Sequence, residues 1–246
     1  MSRLRGVLRR LLAARPRSTG PLDAVAGYDL WAPTYDDGDN LLVTLDEIVF
    51  GNLIGQIAMG GRRVLDVGCG TGRHWARILA MNPAALLGVD ASTRMLDRLR
   101  AKHPRASVTR TEGHLLPGIP DRSVDVLVST LALAHFADAE AALAEWSRTL
   151  RPGGDAIITD LHPEAVARGA CTFEHESRTL TIRLYPRELA AIKDAAAQAG
   201  LETVRFEQRV IDESVQAYFD GKGASPMFAR LKGLPLIYGW HLRKRA

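Results

Sequence analysis

The stretch Arg63-Val64-Leu65-Asp66-Val67-Gly68-Cys69-Gly70-Thr71-Gly72-Arg73 constrains this chain more than any other. Val64 to Val67 form a short apolar run with one acid inside it. Three glycines then alternate with Cys69 and Thr71, and a helical pattern starts at His74. That order predicts a buried strand, a tight turn and a helix N-terminus. Glycine lets the backbone turn sharply and approach a ligand closely, and a helix start offers unpaired N–H groups. The stretch is therefore a nucleotide-type cradle. Its spacing narrows the ligand. A dinucleotide fingerprint reads G-x-G-x-x-G, whereas Gly68, Gly70 and Gly72 give G-x-G-x-G and Arg73 stands where the third glycine would be. The Gly-Lys-Ser/Thr ending of a phosphate-binding loop is absent.

Residues 62–160 continue as an alternating strand and helix series, the pattern of an α/β fold. Ala85-Leu86-Leu87-Gly88-Val89-Asp90 is a second apolar strand ending in an acid. Asp90 lies 18 residues after Gly72, close to the offset at which an acid accepts ribose hydroxyls. An acceptor-only carboxylate matches two hydroxyl donors. The plain alternative for Asp90 is a helix cap. Ser107 to Arg110 is a short strand and Asp121 to Ser129 a turn and a fourth strand. Thr130 to Phe136 lies just beyond that strand's C-terminal end, where open α/β sheets bind ligands, so His135 is a candidate base or substrate contact. A histidine that only packs or caps the next helix is the competing account. Leu150-Arg151-Pro152-Gly153-Gly154 is a tight turn into the strand Ala156 to Asp160. His162 leaves that strand at the same edge of the sheet and is the second candidate.

Taken together, these motifs resemble the class I S-adenosylmethionine-dependent methyltransferases of the small-molecule type, the ubiquinone- and biotin-pathway enzymes among them. The first motif of that family looks like Val64 to Gly72. Its adenine motif looks like Thr111-Glu112-Gly113-His114-Leu115-Leu116-Pro117, with Glu112 where the family has Asp. The resemblance implies a Rossmann-like, doubly wound, seven-stranded sheet, mostly parallel with one antiparallel edge strand and helices on both faces. It also implies S-adenosyl-L-methionine as cofactor. Asp66, Gly68, Cys69, Gly70 and Gly72 would form the floor under its methionine end. Asp90 would take the ribose, Ala91 after it would also bind the cofactor, Met95 would flank the adenine, Glu112 and Gly113 would meet the adenine edge, and Ser129 would stand at the end of the fourth strand. Tyr28-Asp29-Leu30-Trp31-Ala32-Pro33-Thr34-Tyr35-Asp36 resembles the family's Tyr-Asp lid, so Tyr28 and Tyr35 would cover the cofactor. Aromatic faces attract a sulfonium cation and a lid excludes water; the alternative is that these rings are core anchors.

The reaction so implied is methyl transfer to a small-molecule acceptor in a biosynthetic or secondary-metabolite pathway, with O-methylation favoured over N or C. The Asn/Asp-Pro-Pro-aromatic motif of many amino-group and nucleic-acid-base methyltransferases is absent after the fourth strand. The alternative is a non-catalytic or non-methylating S-adenosylmethionine-fold protein that acts on or binds a protein partner.

With 246 residues, 46% hydrophobic and 24% charged, the chain suits one α/β domain with appendages. The expected divisions are a basic amphipathic helix at 1–20, lid helices at 21–60, including one from Leu41 to Ala58, and the methyltransferase domain at 61–246. Substrate-covering insertions fall at about 161–185, with a hairpin from Thr172 to Tyr185, and at 212–233. A helix is expected from Tyr185 to Gly200 and another near Pro226 to Lys232. No run of eighteen apolar residues occurs, so no membrane span is expected. Cys69 and Cys171 cannot build a disulfide framework or a metal cluster, and no metal is expected. A cytoplasmic monomer or homodimer follows, or a mitochondrial-matrix protein if residues 1–20 are a targeting segment. The six arginines of residues 1–17 account for more than the whole net charge of +4, so the body is near neutral and no nucleic-acid partner is expected. Leu4, Val7, Leu8, Leu11 and Leu12 fall on one helical face. That segment packs on its own domain or a partner, touches an anionic membrane surface weakly through residues 3–12, or targets the chain.

Overall fold

Val64 to Val67, Val126 to Ser129 and Ala156 to Leu161 are buried at every position, which is the pattern of strands covered on both faces of a sheet. The computed structural model describes residues 20–37, 40–111, 114–168 and 171–246. Its strands are β1 (Arg63–Val67), β2 (Ala85–Asp90), β3 (Ser107–Arg110), β4 (Val124–Thr130), β5 (Leu150–Leu161), β6 (Thr172–His175), β7 (Arg178–Thr181), β8 (Leu201–Val210) and β9 (Pro235–Lys244). Seven of them form one sheet in the order β3-β2-β1-β4-β5-β9-β8. The first five pair in parallel. β9 runs antiparallel to both β5 and β8, so the antiparallel edge consists of a reversed β9 with β8 outside it. The chain order steps outward from β1 to β3 and then returns to β4 beside β1, which opens a crevice at the C-terminal ends of β1 and β4.

The helices are α1 (Ala24–Trp31), continued by a 3-10 turn (Ala32–Asp37), α2 (Leu41–Ile54), α3 (Trp75–Ala80), α4 (Thr93–Lys102), α5 (Ala139–Thr149), α6 (Pro163–Ala167), α7 (Leu189–Gln198), α8 (Gln216–Asp220) and α9 (Ser225–Leu231). Strand alternation divides the core. Val64, Val126, Val128 and Ile157 face α2, α3 and α4. Leu65, Val67, Leu127 and Ile158 face α5 and α7. α2 lies so close to β9 that a Cβ on Gly239 would come within 2.1 Å of Val49 Cγ1. No helix among the described residues is long and apolar enough to cross a membrane.

Several element boundaries differ from the sequence expectation, each for a local reason. α2 stops at Ile54, where Gly55 caps it, rather than at Ala58. Leu150 to Gly154 already belong to β5 and are taken up as a register irregularity opposite Val124 and Val126. α7 begins at Leu189 because the N–H of Tyr185 is committed to the Ala134 carbonyl and Pro186 follows. β6 and β7 form the expected hairpin. Its two turn residues, Glu176 and Ser177, both take positive φ (47° and 63°), as a two-residue type I′ turn demands. Leu22 bridges to Ile182 beyond the hairpin, which ties the N-terminal arm to this flap. Of the amphipathic segment expected at 1–20, residues 1–19 are outside the described residues.

Candidate functional site

The strand–turn–helix stretch closes on itself as well as on any ligand. Gly68 and Cys69 both donate their N–H groups to the Val89 carbonyl (2.8 and 3.0 Å), and Gly70 donates to Asp90 Oδ2 (2.8 Å). Gly68 sits at φ 73° with Ala132 of the β4 exit pressed against it, and a Cβ there would meet Ala132 Cβ at 2.6 Å. Only glycine meets both demands. The loop's N–H groups are thus largely spent within the protein, and α3 is only six residues long. The cradle acts by close backbone approach more than as an anion hole.

Above this loop lies a cavity of about 380 Å³. Gly68, Gly70, Asp90, Ala91 and Met95 line it, together with Tyr28, Tyr35 and His135. The Asp90 carboxylate is held at both oxygens, by Gly70 N–H and by Ser92 N–H (2.8 Å each). Burial raises its pKa from the usual carboxylate value against these donors. Among the described residues no Lys or Arg lines the cavity, whereas Asp90 and Asp138 do.

The two Tyr-Asp pairs divide their labour. Tyr28 and Tyr35 line the cavity, while the acids tie this segment to the glycine loop and to α4. Asp29 Oδ1 accepts from Ser92 Oγ (2.6 Å), and Asp36 accepts from Thr71 Oγ1 of the glycine loop (2.7 Å) and from Lys102 Nζ (3.0 Å). A seven-residue spacing is close to two helical turns, so both pairs present the same face.

His135 stands where the lid meets the β4 exit. Its Nδ1 lies 2.9 Å from the Arg183 carbonyl, which can only accept, so Nδ1 carries the proton. Nε2 is then the bare nitrogen, and the Tyr28 hydroxyl donates to it at 2.8 Å. Burial lowers the imidazole to about 4, with the Arg183 carbonyl pulling the other way. The ring is therefore neutral near pH 7. Burial also pushes the Tyr28 phenol well above its usual value, with Cys171 adding to the effect. The turn carrying His135 is anchored from below, where Asp160 Oδ2 accepts the Ala134 N–H at 2.6 Å. Burial raises Asp160 to about 7 against the donors Leu161 and Ala134. Leu131, just before this turn, sits at φ 54°, a strained setting for a residue with a side chain, and lines the cavity.

A buried ionic cluster joins α2 to the glycine loop. Asp46, fully buried, receives Arg73 Nη2 (2.6 Å), His74 Nε2 (2.8 Å) and the Thr159 hydroxyl. Burial alone would raise Asp46, but Arg73 and His74 outweigh it and bring it down to about 2. Arg73, next to the loop, is thereby turned away from the cavity.

Other residues singled out in the sequence lie elsewhere. Asp66 is buried beneath the loop, where Oδ2 accepts from Trp75 Nε1 (2.8 Å), and burial raises it to about 7. Cys69 is buried, and a Cβ on Gly88 would lie 2.9 Å from its sulfur; Gly72 backs onto Leu99. Ser129 is fully buried with no hydrogen-bond partner for Oγ; Thr130, Leu131 and Ala132 form the wall at that strand end. Glu112 and Gly113 lie outside the described residues; Thr111 and His114 on either side of them line the cavity. The structure does not bring His162 to the cavity. It is the N-cap of α6, with Nδ1 accepting the Glu164 N–H at 3.3 Å, and it is 7% exposed. Sequence reasoning did not assign Asp29, Asp36, Asp46 or Tyr185. The seven-residue Tyr-Asp repeat was the available signal for the first two, and no local pattern marks the others.

A family model described as a methyltransferase domain matches residues 65–158. A probable S-adenosylmethionine-dependent methyltransferase of Mycolicibacterium smegmatis is 32% identical over 187 residues, covering 76% of this chain and 66% of that protein. The malonyl-[acyl-carrier protein] O-methyltransferase of Yersinia pestis is 34% identical over 141 residues, covering 55% of this chain and 49% of that one. The chain thus spans about half to two thirds of the length of these two curated relatives. An S-adenosylmethionine-dependent methyltransferase from Mesorhizobium loti superposes with a TM-score of 0.64 at 22% identity, over 82% of this chain and all of that one, which is a likeness of fold. The site suits that kind of cofactor. The cavity has the volume of a small-ligand pocket. Asp90 retains acceptor capacity for a ribose diol. The loop's N–H groups are largely spent within the protein, and a wall that among the described residues carries Asp90 and Asp138 but no Lys or Arg suits a cation.

Proposed function

Because this chain belongs to the class I S-adenosylmethionine-dependent methyltransferases, we propose that it transfers a methyl group to the hydroxyl oxygen of a small-molecule acceptor in a biosynthetic pathway. S-adenosyl-L-methionine supplies a methyl already activated by a positive sulfonium centre. The observation that carries the hydroxyl reading is the Tyr28–His135 pair opening on the cavity. The Arg183 carbonyl holds Nδ1–H and leaves Nε2 as the acceptor, so His135 takes the acceptor's hydroxyl proton there. Tyr28 keeps that lone pair directed until an acceptor replaces it. Asp90 and the glycine loop hold the nucleoside, and the latched lid excludes water. The O-methyltransferase name of the Yersinia relative supports oxygen as the acceptor atom.

The test is methyl transfer by the parent protein and by His135→Ala, followed through S-adenosylhomocysteine release, beside calorimetry of cofactor binding. Turnover should fall about 100-fold or more, the usual worth of a general base, with cofactor affinity unchanged. Parental turnover in a folded His135→Ala protein would remove the base.

A further inference from the structure

Residues 183–188 run from the flap to α7 and belong to no helix or strand. At its near end this strap hangs on the N-terminal arm, where Arg183 donates its N–H to the Leu22 carbonyl (2.8 Å). It then crosses the turn that carries His135. The Arg183 carbonyl accepts from His135 Nδ1–H (2.9 Å), and Tyr185 donates its N–H to the Ala134 carbonyl (2.9 Å). Arg187 Nη2 donates to the carbonyls of Phe136 and Ala137. Its Nη1 folds back on the Tyr185 carbonyl (3.1 Å), so one planar guanidinium fastens the strap to itself and to the turn. Asp160 holds the same turn from below, and Asp160 and Arg187 line one small cavity of about 10 Å³. A carboxylate on an N–H and a guanidinium on two carbonyls make charge-assisted hydrogen bonds, the stronger kind. α7 itself gains nothing from this cation, because a positive charge just before a helix N-terminus opposes the dipole. Nor is Arg187 among the described residues that line the cofactor cavity.

We propose that Arg187 is a positioning residue for His135: by clamping the strap to the turn it keeps the Arg183 carbonyl on Nδ1, and so keeps Nε2 bare for the acceptor's proton. The proposal rests on the reading of His135 as the base. The tautomer of a neutral imidazole follows the hydrogen bond that its other nitrogen makes. A carbonyl only accepts, so it fixes Nδ1–H, whereas water donates as well as accepts and fixes neither form. Arg183 is exposed, so water competes for the carbonyl's place. Without Arg187, two neutral hydrogen bonds remain between strap and turn, and one of them is the bond that sets the tautomer. A ring that carries its proton on Nε2 cannot take another there.

The test is the ring-nitrogen NMR spectrum of the histidines in the full chain with S-adenosylhomocysteine near neutral pH, with His135 assigned as the signal that His135→Gln removes. The parent should show Nδ1–H and a bare Nε2. In Arg187→Ala the ratio of Nδ1–H to Nε2–H should fall about tenfold, roughly the worth of one hydrogen bond. The signals of His74 and His241, on other parts of the sheet, should stay where they are, and S-adenosylhomocysteine should bind within about threefold of the parent, because no atom of the ligand contact is removed. Arg187→Lys keeps the charge and loses the fork, so it should show the same fall; it carries the test if Arg187→Ala does not fold. The proposal is overturned if either folded variant keeps the parental ratio. It also falls if the ratio drops only together with shifts at His74 and His241 or with loss of S-adenosylhomocysteine binding, which would make Arg187 a support of the whole fold. A parent that carries the proton on Nε2 overturns the base reading of His135 and this proposal with it, and a parent that does not bind S-adenosylhomocysteine overturns the methyl-transfer reading before any variant is made.

Discussion

Replacing Asp90 by Asn perturbs the ligand cradle at one atom. Oδ1 and Oδ2 each accept one backbone N–H, from Ser92 and Gly70, at 2.8 Å. A carboxylate has about four acceptor positions, so two remain for a ribose diol. Asn exchanges one oxygen for a donor. Whichever way the amide turns, its NH2 faces one of those two backbone N–H groups and withdraws one acceptor from the ligand. A hydrogen bond to a charged acceptor contributes about 1.5–3 kcal/mol. Losing one, and the charge on the other, amounts to about 3 kcal/mol, or roughly 100-fold in Kd. The unliganded protein loses a further ~1–3 kcal/mol, because a buried N–H is left unmatched. Calorimetry with S-adenosylhomocysteine reads the first effect and urea unfolding the second. The parent should also bind more weakly as pH falls into the burial-raised pKa of Asp90, and Asp90→Asn should lack that acid limb. A Kd within threefold of the parent in folded Asp90→Asn would refute the cradle.

Other perturbations probe the rest of the site. His162→Ala should leave kcat and cofactor affinity unchanged and cost about 1 kcal/mol as a lost helix cap; a large loss of kcat would return His162 to the site. Asp46→Ala removes the 2.6 Å partner of half-buried Arg73, leaving it Glu47 at 3.3 Å, and also unpairs His74 and Thr159, so it should destabilise by about 3 kcal/mol in denaturant titration. The parent's Asp46 contribution is present above pH 3.8 and is lost as pH falls toward about 2. His135 has its folded pKa lowered from 6.5 to about 4. The unfolded chain therefore binds more protons across that window, and stability falls as pH drops from 6.5 to 4; His135→Gln should flatten that slope. Asp29→Ala with Asp36→Ala unlatches the lid, so residues 24–37 should be cut faster by protease and S-adenosylhomocysteine should bind more weakly, whereas unchanged cleavage would show that the aromatic packing suffices.

The Val64–Gly72 turn, Asp90 at the end of β2, the succession of strands and helices along the chain and the flap hairpin were all legible, because each is written in residues adjacent along the chain. The aromatic lid was legible as a motif, but not the separate duty of its acids, since Ser92 and Thr71 lie 63 and 35 residues away. The two histidines separate the levels most clearly. Both stand just beyond a strand end in the sequence, and nothing local distinguishes them.

Backbone conformation and hydrophobic period are properties of neighbouring residues, so the sequence by itself determined an α/β chain built around a glycine turn with an acid at the end of the next strand. Only the tertiary structure decided which histidine faces the cavity and which of its nitrogens is bare. Those depend on burial and on partners 48 and 107 residues away, Arg183 and Tyr28. A side chain's protonation and reach are set by what folding brings against it.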